Sequence, residues 1–213
     1  MILIWIWEIT RELENLSRFC MDFCSYLCEP PRTDLMNERN DDPTENPANF
    51  KTRPVALPGF SIRPMTPGDL KTVARIERAV HVAPWTVQNI EEELEKSFCR
   101  FWLMTDDETD EVVAGYITFW VMMEECHILN VVSDLAFRGR GVAKFLVRKA
   151  IAEAEKSGCK RVILEVRKSN AAALGLYQTL GFTISHVRKA FYSNQEDAYS
   201  MILDLSDESQ NSF

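Results

Sequence analysis

No glycine occurs before Gly59, and only eight occur in the 213-residue chain. The opening segment therefore lacks the residue that makes positive-φ turns at little cost. Six of the nine prolines fall there instead, at Pro30, Pro31, Pro43, Pro47, Pro54 and Pro58. Residues 29–58 are polar, proline-rich and without hydrophobic periodicity, which predicts a disordered linker rather than a folded unit. Long apolar runs are scarce at the start as well. The run over 2–7 is too short to span a bilayer, and Glu8, Arg11, Glu12 and Glu14 follow it. No basic stretch precedes it, which argues against a secretory signal, and the acidic residues argue against a mitochondrial presequence. A basic excess is also missing. The net charge is −8 and the pI about 5.0, so no direct nucleic-acid partner is expected. The chain has three histidines, and its six cysteines show no C-x-x-C spacing, so no structural metal is expected.

What is present divides into two parts. Ile2, Ile6, Ile9, Leu13, Leu16, Cys20, Phe23 and Leu27 recur at alternating spacings of four and three. That pattern predicts an amphipathic helix over residues 1–28. A helix docked on the domain is the simpler expectation; an interfacial membrane helix or a partner-binding helix is the less favoured one. Cys20, Cys24 and Cys28 share one face of this helix, while Cys99, Cys126 and Cys159 sit in or beside predicted strands. Small buried thiols in a reducing cytoplasm account for all six. Residues 59–205 are long enough for one compact domain, followed by a polar tail over 206–213.

The domain reads as mixed α/β. Strands are predicted over 60–63, 100–105, 112–121, 125–133, 161–167, 182–188 and 198–205. Helices are predicted over 67–82, from Thr86 as N-cap to about Lys96, over 141–157, and over 171–180 with Asn170 as cap. Runs of adjacent strands followed by a βαβ unit imply a mostly antiparallel mixed sheet of six or seven strands, with helices on both faces.

Two segments carry chemistry. The first is Phe137-Arg138-Gly139-Arg140-Gly141-Val142-Ala143-Lys144. Two glycines and a small alanine at a helix start let backbone N–H groups converge on an anion, and Arg138, Arg140 and Lys144 add countercharge. The spacing fits neither a Walker loop nor a dinucleotide fingerprint; an ordinary glycine-rich surface turn is the alternative. The second is Leu164-Glu165-Val166-Arg167-Lys168-Ser169-Asn170, leading into a helix that carries Tyr177. Glu165 is a carboxylate near a strand end. It suits a general base, or an ion pair with Arg167 or another cation. Tyr177 shares a stripe with Ala173, Leu176 and Leu180, which suits core packing, or a phenol placed to donate a proton.

Together these segments resemble the Gcn5-related N-acetyltransferase superfamily, and within it the ribosomal-protein-alanine acetyltransferase branch. The superfamily's acetyl-CoA motif reads Arg138-x-x-Gly141-x-Ala143 here. The branch also shares Leu129-Asn130-Val131-Val132, the stretch from Leu164 to Ala173, Leu176-Tyr177-x-x-Leu180-Gly181-Phe182, Pro84-Trp85, and Phe191-Tyr192 with Glu196-Asp197-Ala198. The resemblance covers about residues 61–205. It implies acetyl-CoA as cosubstrate and no metal. The backbone of Val131, Val132 and Ser133 would hold the acetyl and pantetheine part. Arg138, Gly139, Arg140, Gly141, Val142, Ala143 and Lys144 would hold the pyrophosphate, with Asn170 as a further contact. Glu165 would be the general base and Tyr177 the general acid, while Trp85 and Tyr192 would wall the acceptor slot. The implied partner is a protein with a free N-terminus, such as a ribosomal protein whose first residue is alanine. A lysine side chain, a small-molecule amine and a non-catalytic acetyl-CoA-binding module are the alternatives. Leu135 stands where the family commonly has proline, Phe191 replaces the first of a usual tyrosine pair, and the loop after Tyr192 is short.

Overall fold

The computed structural model describes residues 58–81 and 84–205. The helix expected over 1–28, nearly all of the linker, the polar tail, and Cys20, Cys24 and Cys28 lie outside the described residues. Seven strands form one sheet: β1 (Phe60–Pro64), β2 (Cys99–Asp106), β3 (Val113–Met122), β4 (Glu125–Ser133), β5 (Arg161–Arg167), β6 (Thr183–Arg188) and β7 (Ala198–Asp204), in the order β1-β2-β3-β4-β5-β7-β6. β4 and β5 pair in parallel, and every other neighbouring pair is antiparallel. The fold class is the one expected, mixed α/β with a mostly antiparallel sheet.

Among the described residues there are four α-helices: α1 (Leu70–Val80), α2 (Val87–Glu95), α3 (Val142–Lys156) and α4 (Ala171–Thr179). The first helix is shorter than the spacing predicts. A 3-10 turn over Pro67–Asp69 leads into it, and His81 is already extended, with φ −104° and ψ 139°. Thr86 caps α2, its hydroxyl accepting from the Asn89 N–H while Asn89 Oδ1 accepts from the Thr86 N–H. Asn170 caps α4 by accepting from the Ala173 N–H at 3.1 Å.

The sheet is covered on both faces. Phe145, Leu146 and Ala150 of α3, with Ala173 and Tyr177 of α4, pack on Ile117, Phe119, Ile128 and Val131. Val73, Ile76 and Val80 of α1, with Ile90 of α2, pack on Leu103, Tyr116 and Val132. Adjacent residues Tyr116 and Ile117, or Val131 and Val132, thus serve opposite layers, as the two-residue period of a strand requires. β3 is an interior strand, and all of its residues from Val113 to Trp120 are buried.

Gly115 explains how closely the layers meet. A Cβ there would lie 2.3 Å from the Val132 carbonyl oxygen and 2.7 Å from Val142 Cγ1. Its absence lets the start of α3 sit directly over β3 and the end of β4.

Candidate active site

β4 and β5 part company inside the sheet. They pair from Glu125–Arg161 to Ile128–Leu164. Beyond that point β4 stays with β3, as far as the Ser133–Gly115 pair. β5 stays with β7, through the Glu165–Ser200, Val166–Tyr199 and Arg167–Ala198 pairs. A register shift on the β3 side leaves Leu129 as an extra residue between Ile128 and Asn130, and such a bulge bends its strand. The β5-facing backbone groups of Val131, Val132 and Ser133 therefore look into an opening rather than onto a strand. Glu165 lies on the opposite wall.

The glycine turn stands at the end of this opening. Asp134 accepts from the Ala136 N–H at 3.0 Å and is ion-paired with Arg75 at 3.1 Å, which fixes the entry to the turn. Gly139 and Gly141 then take φ of +74° and +82°, and α3 begins at Val142. The N-cap residue of α3, Gly141, has no side chain to cap the helix. Its first N–H groups and the positive end of its dipole are thus available to an anion. Among the described residues a Cβ on Gly139 or Gly141 would meet nothing within 4 Å. Arg140 is exposed, its guanidinium 5.3 Å from the Phe137 ring centre. Asn170 is 6 % exposed, and its Nδ2 has no hydrogen-bond partner among the described residues.

Glu165 is half-buried, and its Oε1 accepts from Arg188 Nη1 at 3.1 Å. The ion-pair alternative is thus realised with Arg188 and not with Arg167. Arg167 is otherwise engaged, donating to Asn194 Oδ1 and Glu196 Oε2 at 3.0 Å each and lying 3.6 Å from the Tyr192 ring centre. Tyr177 is buried on the sheet-facing side of α4 and meets Phe182 edge to face. Tyr192 is 1 % exposed and packs on Phe191. Trp85 is 8 % exposed within the α1–α2 cluster that also contains Leu129 and Val132, and its ring meets that of Phe101. The two aromatic residues expected to wall the slot therefore sit in separate clusters, each largely buried.

Electrostatics pin the loops around β5. Lys189, the Ala190 N–H and Lys168 all donate to Asp197 and hold its carboxyl well below the ordinary carboxylate range. Burial would raise the Glu196 carboxyl, but the Ser169 hydroxyl and N–H, together with Arg167, hold it below its ordinary value. Cys126 is buried, which pushes its thiol up to about 12 and makes it a poor nucleophile.

A match to the acetyltransferase (GNAT) family model spans residues 70–182. A Bacillus subtilis (strain 168) relative, provisionally named a ribosomal protein bS18-alanine N-acetyltransferase, is 31 % identical over 148 residues, which is 69 % of this chain and 97 % of the relative. The ribosomal protein bS18-alanine N-acetyltransferase of Salmonella typhimurium (strain LT2) is 32 % identical over 141 residues, 65 % of this chain and 93 % of its own. The crystal structure of the Escherichia coli ribosomal-protein-S18-alanine N-acetyltransferase superposes with a TM-score of 0.64 at 28 % identity, covering 72 % of this chain and 99 % of that one. The chain belongs to the GNAT acetyltransferase family.

The donor that membership implies, acetyl-CoA, fits the residues present. A pyrophosphate needs N–H donors, positive potential and room. The positive-φ turn at Gly139 and Gly141, the start of α3 at a glycine N-cap, and the room around both glycines among the described residues meet those needs. Asn170 Nδ2 is a further buried donor without a hydrogen-bond partner among the described residues. Among the described residues there is no group of three or more His, Cys, Asp or Glu that could hold a metal ion. Among the same residues no helix is long and apolar enough to cross a membrane.

Pattern reading passed over two further residues of this GNAT domain. Glu77 is fully buried on α1 although it is a carboxylate. Glu93 on α2 is also buried, accepting from Trp120 Nε1 at 2.7 Å and Lys96 Nζ at 3.0 Å. The signal for Glu77 is its place on the apolar stripe of Val73, Ile76 and Val80, where a helix facing solvent would not put its inner turn.

Proposed function

We propose that this protein transfers acetyl from acetyl-CoA to the N-terminal α-amine of a protein, with alanine as first residue and a ribosomal protein as acceptor. The observation that carries the reading is the opening between β4 and β5, which has the glycine turn at one end and Glu165 on its β5 wall. Likeness to alanine N-acetyltransferases over 93–97 % of their own length supports the acceptor.

Arg138, Gly139, Arg140, Gly141, Val142, Ala143 and Lys144 would hold the pyrophosphate, and Val131, Val132 and Ser133 the pantetheine arm. Bound there, acetyl-CoA supplies the acyl group as an activated thioester. The rest falls to the chain. A protonated amine is no nucleophile, so Glu165 takes the acceptor's proton, directly or through water. N–H groups of β4 beyond Ile128 donate to the carbonyl oxygen as negative charge builds on it. Tyr177 gives its phenolic proton to the leaving sulfur. Trp85 and Tyr192 confine the acceptor chain.

Proton energetics favour an α-amine. Its pKa of about 7.7–8.0 makes deprotonation at pH 7 cost roughly 1 kcal/mol, against about 4.6 kcal/mol for a lysine near 10.4. The net charge of −8 favours approach of a basic acceptor. The test uses two peptides of one sequence, one with a free alanine terminus and acetylated lysines, the other with a blocked terminus and free lysines. The first is expected to be acetylated faster. Faster acetylation of the second replaces the acceptor and keeps acetyl transfer. Acetyl-CoA binding without turnover on either peptide or on small amines reduces the protein to a binding module.

A further inference from the structure

Glu77 has no part in the chemistry above, yet it is among the most buried side chains of the domain. Burying a carboxylate is costly unless it is fully hydrogen-bonded, and an apolar residue would extend the stripe of Val73, Ile76 and Val80 without that cost. The two oxygens face different parts of the fold. Oε1 accepts from the Tyr116 hydroxyl on β3 and from Asn130 Nδ2 on β4, the latter at 2.8 Å. Oε2 accepts from the backbone N–H of Trp85 at 3.3 Å and lies 3.8 Å from His81 Nε2. One oxygen therefore grips the sheet and the other grips the connection between α1 and α2. Asn130 is the residue that follows the bulge and precedes Val131, where β4 has left β5.

We infer that Glu77 is a positioning residue for acceptor binding: its carboxylate ties Trp85 to Asn130 and so sets the spacing between the acceptor wall and the strand that holds the acetyl group. The inference rests on the proposed function, in which Trp85 bounds the acceptor slot. A carboxylate suits the task because it offers two acceptor oxygens to donors on two sides. Glutamine offers one. The sheet side presents two side-chain donors, so the amide oxygen settles there. Its NH2 then meets the Trp85 N–H donor to donor, and the connection is released while the sheet keeps its contact. Aspartate retains both oxygens but is one methylene too short to reach both sides.

The test compares the full chain with its Glu77→Gln, Glu77→Asp and Tyr116→Phe variants. Three quantities are read: steady-state kinetics on a peptide with a free alanine terminus, acetyl-CoA affinity by calorimetry, and amide hydrogen exchange at Trp85 and Tyr116. In Glu77→Gln the peptide KM is expected to rise about tenfold or more, with kcat within about threefold and acetyl-CoA affinity within about twofold. The Trp85 amide is expected to exchange about tenfold faster while the Tyr116 amide in β3 is unchanged. Tyr116→Phe is expected to leave Trp85 exchange and peptide KM as in the parent. A folded Glu77→Gln variant with parental Trp85 exchange and peptide KM overturns the inference, as does loss of acetyl-CoA affinity in step with the rise in KM. Should Glu77→Gln not fold, Glu77→Asp is read by the same criteria. If the parent binds acetyl-CoA but acetylates no peptide, the proposed function fails instead, and the exchange comparison alone decides whether Glu77 makes the bridge.

Discussion

Arg188 Nη1 lies 3.1 Å from Glu165 Oε1, reaching across β7, which runs between the strands that carry them. The residues beneath this bridge are small. Glu165 pairs with Ser200 and Arg188 with Ala198, so nothing bulky stands in the way. Arg188 is steadied by the Phe191 ring, 4.2 Å from its guanidinium. The pair raises a direct question of role, because a carboxylate in an ion pair can be a structural feature or a proton acceptor held in place.

Magnitudes separate the two roles. The side chains of Arg188 and Glu165 are 31 % and 20 % exposed, and a pair of that kind contributes about 0–1 kcal/mol to stability. A general base contributes about 10²–10⁴-fold in rate. Glu165→Gln should therefore lower kcat by about 10²–10⁴-fold, with acetyl-CoA affinity within a few-fold and a melting temperature close to the parent's. Parental kcat at saturating peptide, with a small drop in melting temperature, would leave Glu165 a structural ion-pair partner.

Tyr177 calls for a different control, since its ring is also core. It is 3 % exposed and packs against Phe182. Tyr177→Phe keeps the ring and removes the hydroxyl alone. The expected result is a fall in kcat of about 10²-fold or more in a protein that retains the parent's near-ultraviolet circular dichroism. Tyr177→Ala, by contrast, should cost about 3–5 kcal/mol of stability through the cavity it leaves. Equal kcat for Tyr177→Phe and the parent would assign the residue to packing only.

Much of this domain was legible from local pattern. The strand-forming runs of β2 to β5, the stop of α3 near Gly158 and the caps at Thr86 and Asn170 are local signals, each with its own chemistry, and the structure shows them where that chemistry requires. The Glu165–Arg188 pair was not legible, because it depends on β7 inserting between β5 and β6, and strand order is a long-range outcome. Glu77 was missed for another reason. A glutamate in an amphipathic helix is ordinarily placed on the wet face, and only its spacing from Val73 and Val80 shows otherwise. Gly115 carries no local signal of its own; the approach of Val132 and Val142 is what requires a glycine there.

That approach makes Gly115 a test of how the cofactor turn is held. The site it would disturb is backbone, the Val132 carbonyl at 2.3 Å, together with Val142 at the first turn of α3. Gly115→Ala must push α3 or the end of β4 outward, a strain of about 1–3 kcal/mol. Both are elements of the proposed acetyl-CoA site, so affinity should fall along with the melting temperature. Gly141→Glu is the complementary change. Its Cβ meets no neighbour, but its φ of +82° disfavours a side chain and its charge enters the proposed pyrophosphate cradle. It should abolish acetyl-CoA binding by calorimetry with a smaller loss of stability than Gly115→Ala. Unchanged affinity in folded Gly141→Glu would remove the turn from the cofactor site.

The entry to α1 supplies a prediction about acid stability. Arg63 donates to both oxygens of Asp69, at 2.8 and 2.9 Å, and the Thr66 N–H and hydroxyl add two more bonds at 2.8 Å. The hydrogen bond from Arg63, with those from Thr66, lowers the Asp69 carboxyl to about 2. In the unfolded chain an aspartate titrates near 3.9. A carboxyl whose folded value is depressed adds stability that is present above the unfolded value and is lost as pH falls through the folded one. The window for Asp69 therefore runs from about pH 4 down to about pH 2. Its side chain is 14 % exposed and that of Arg63 25 % exposed, so solvent screening trims the contribution to about 1–2 kcal/mol. Asp69→Asn should lower the melting temperature at pH 7 by a few degrees, and the gap to the parent should close as the pH approaches 2. A gap that stays constant between pH 7 and pH 2 would mean that Asp69 stabilises the turn through hydrogen-bond geometry that asparagine also lacks, and not through its charge.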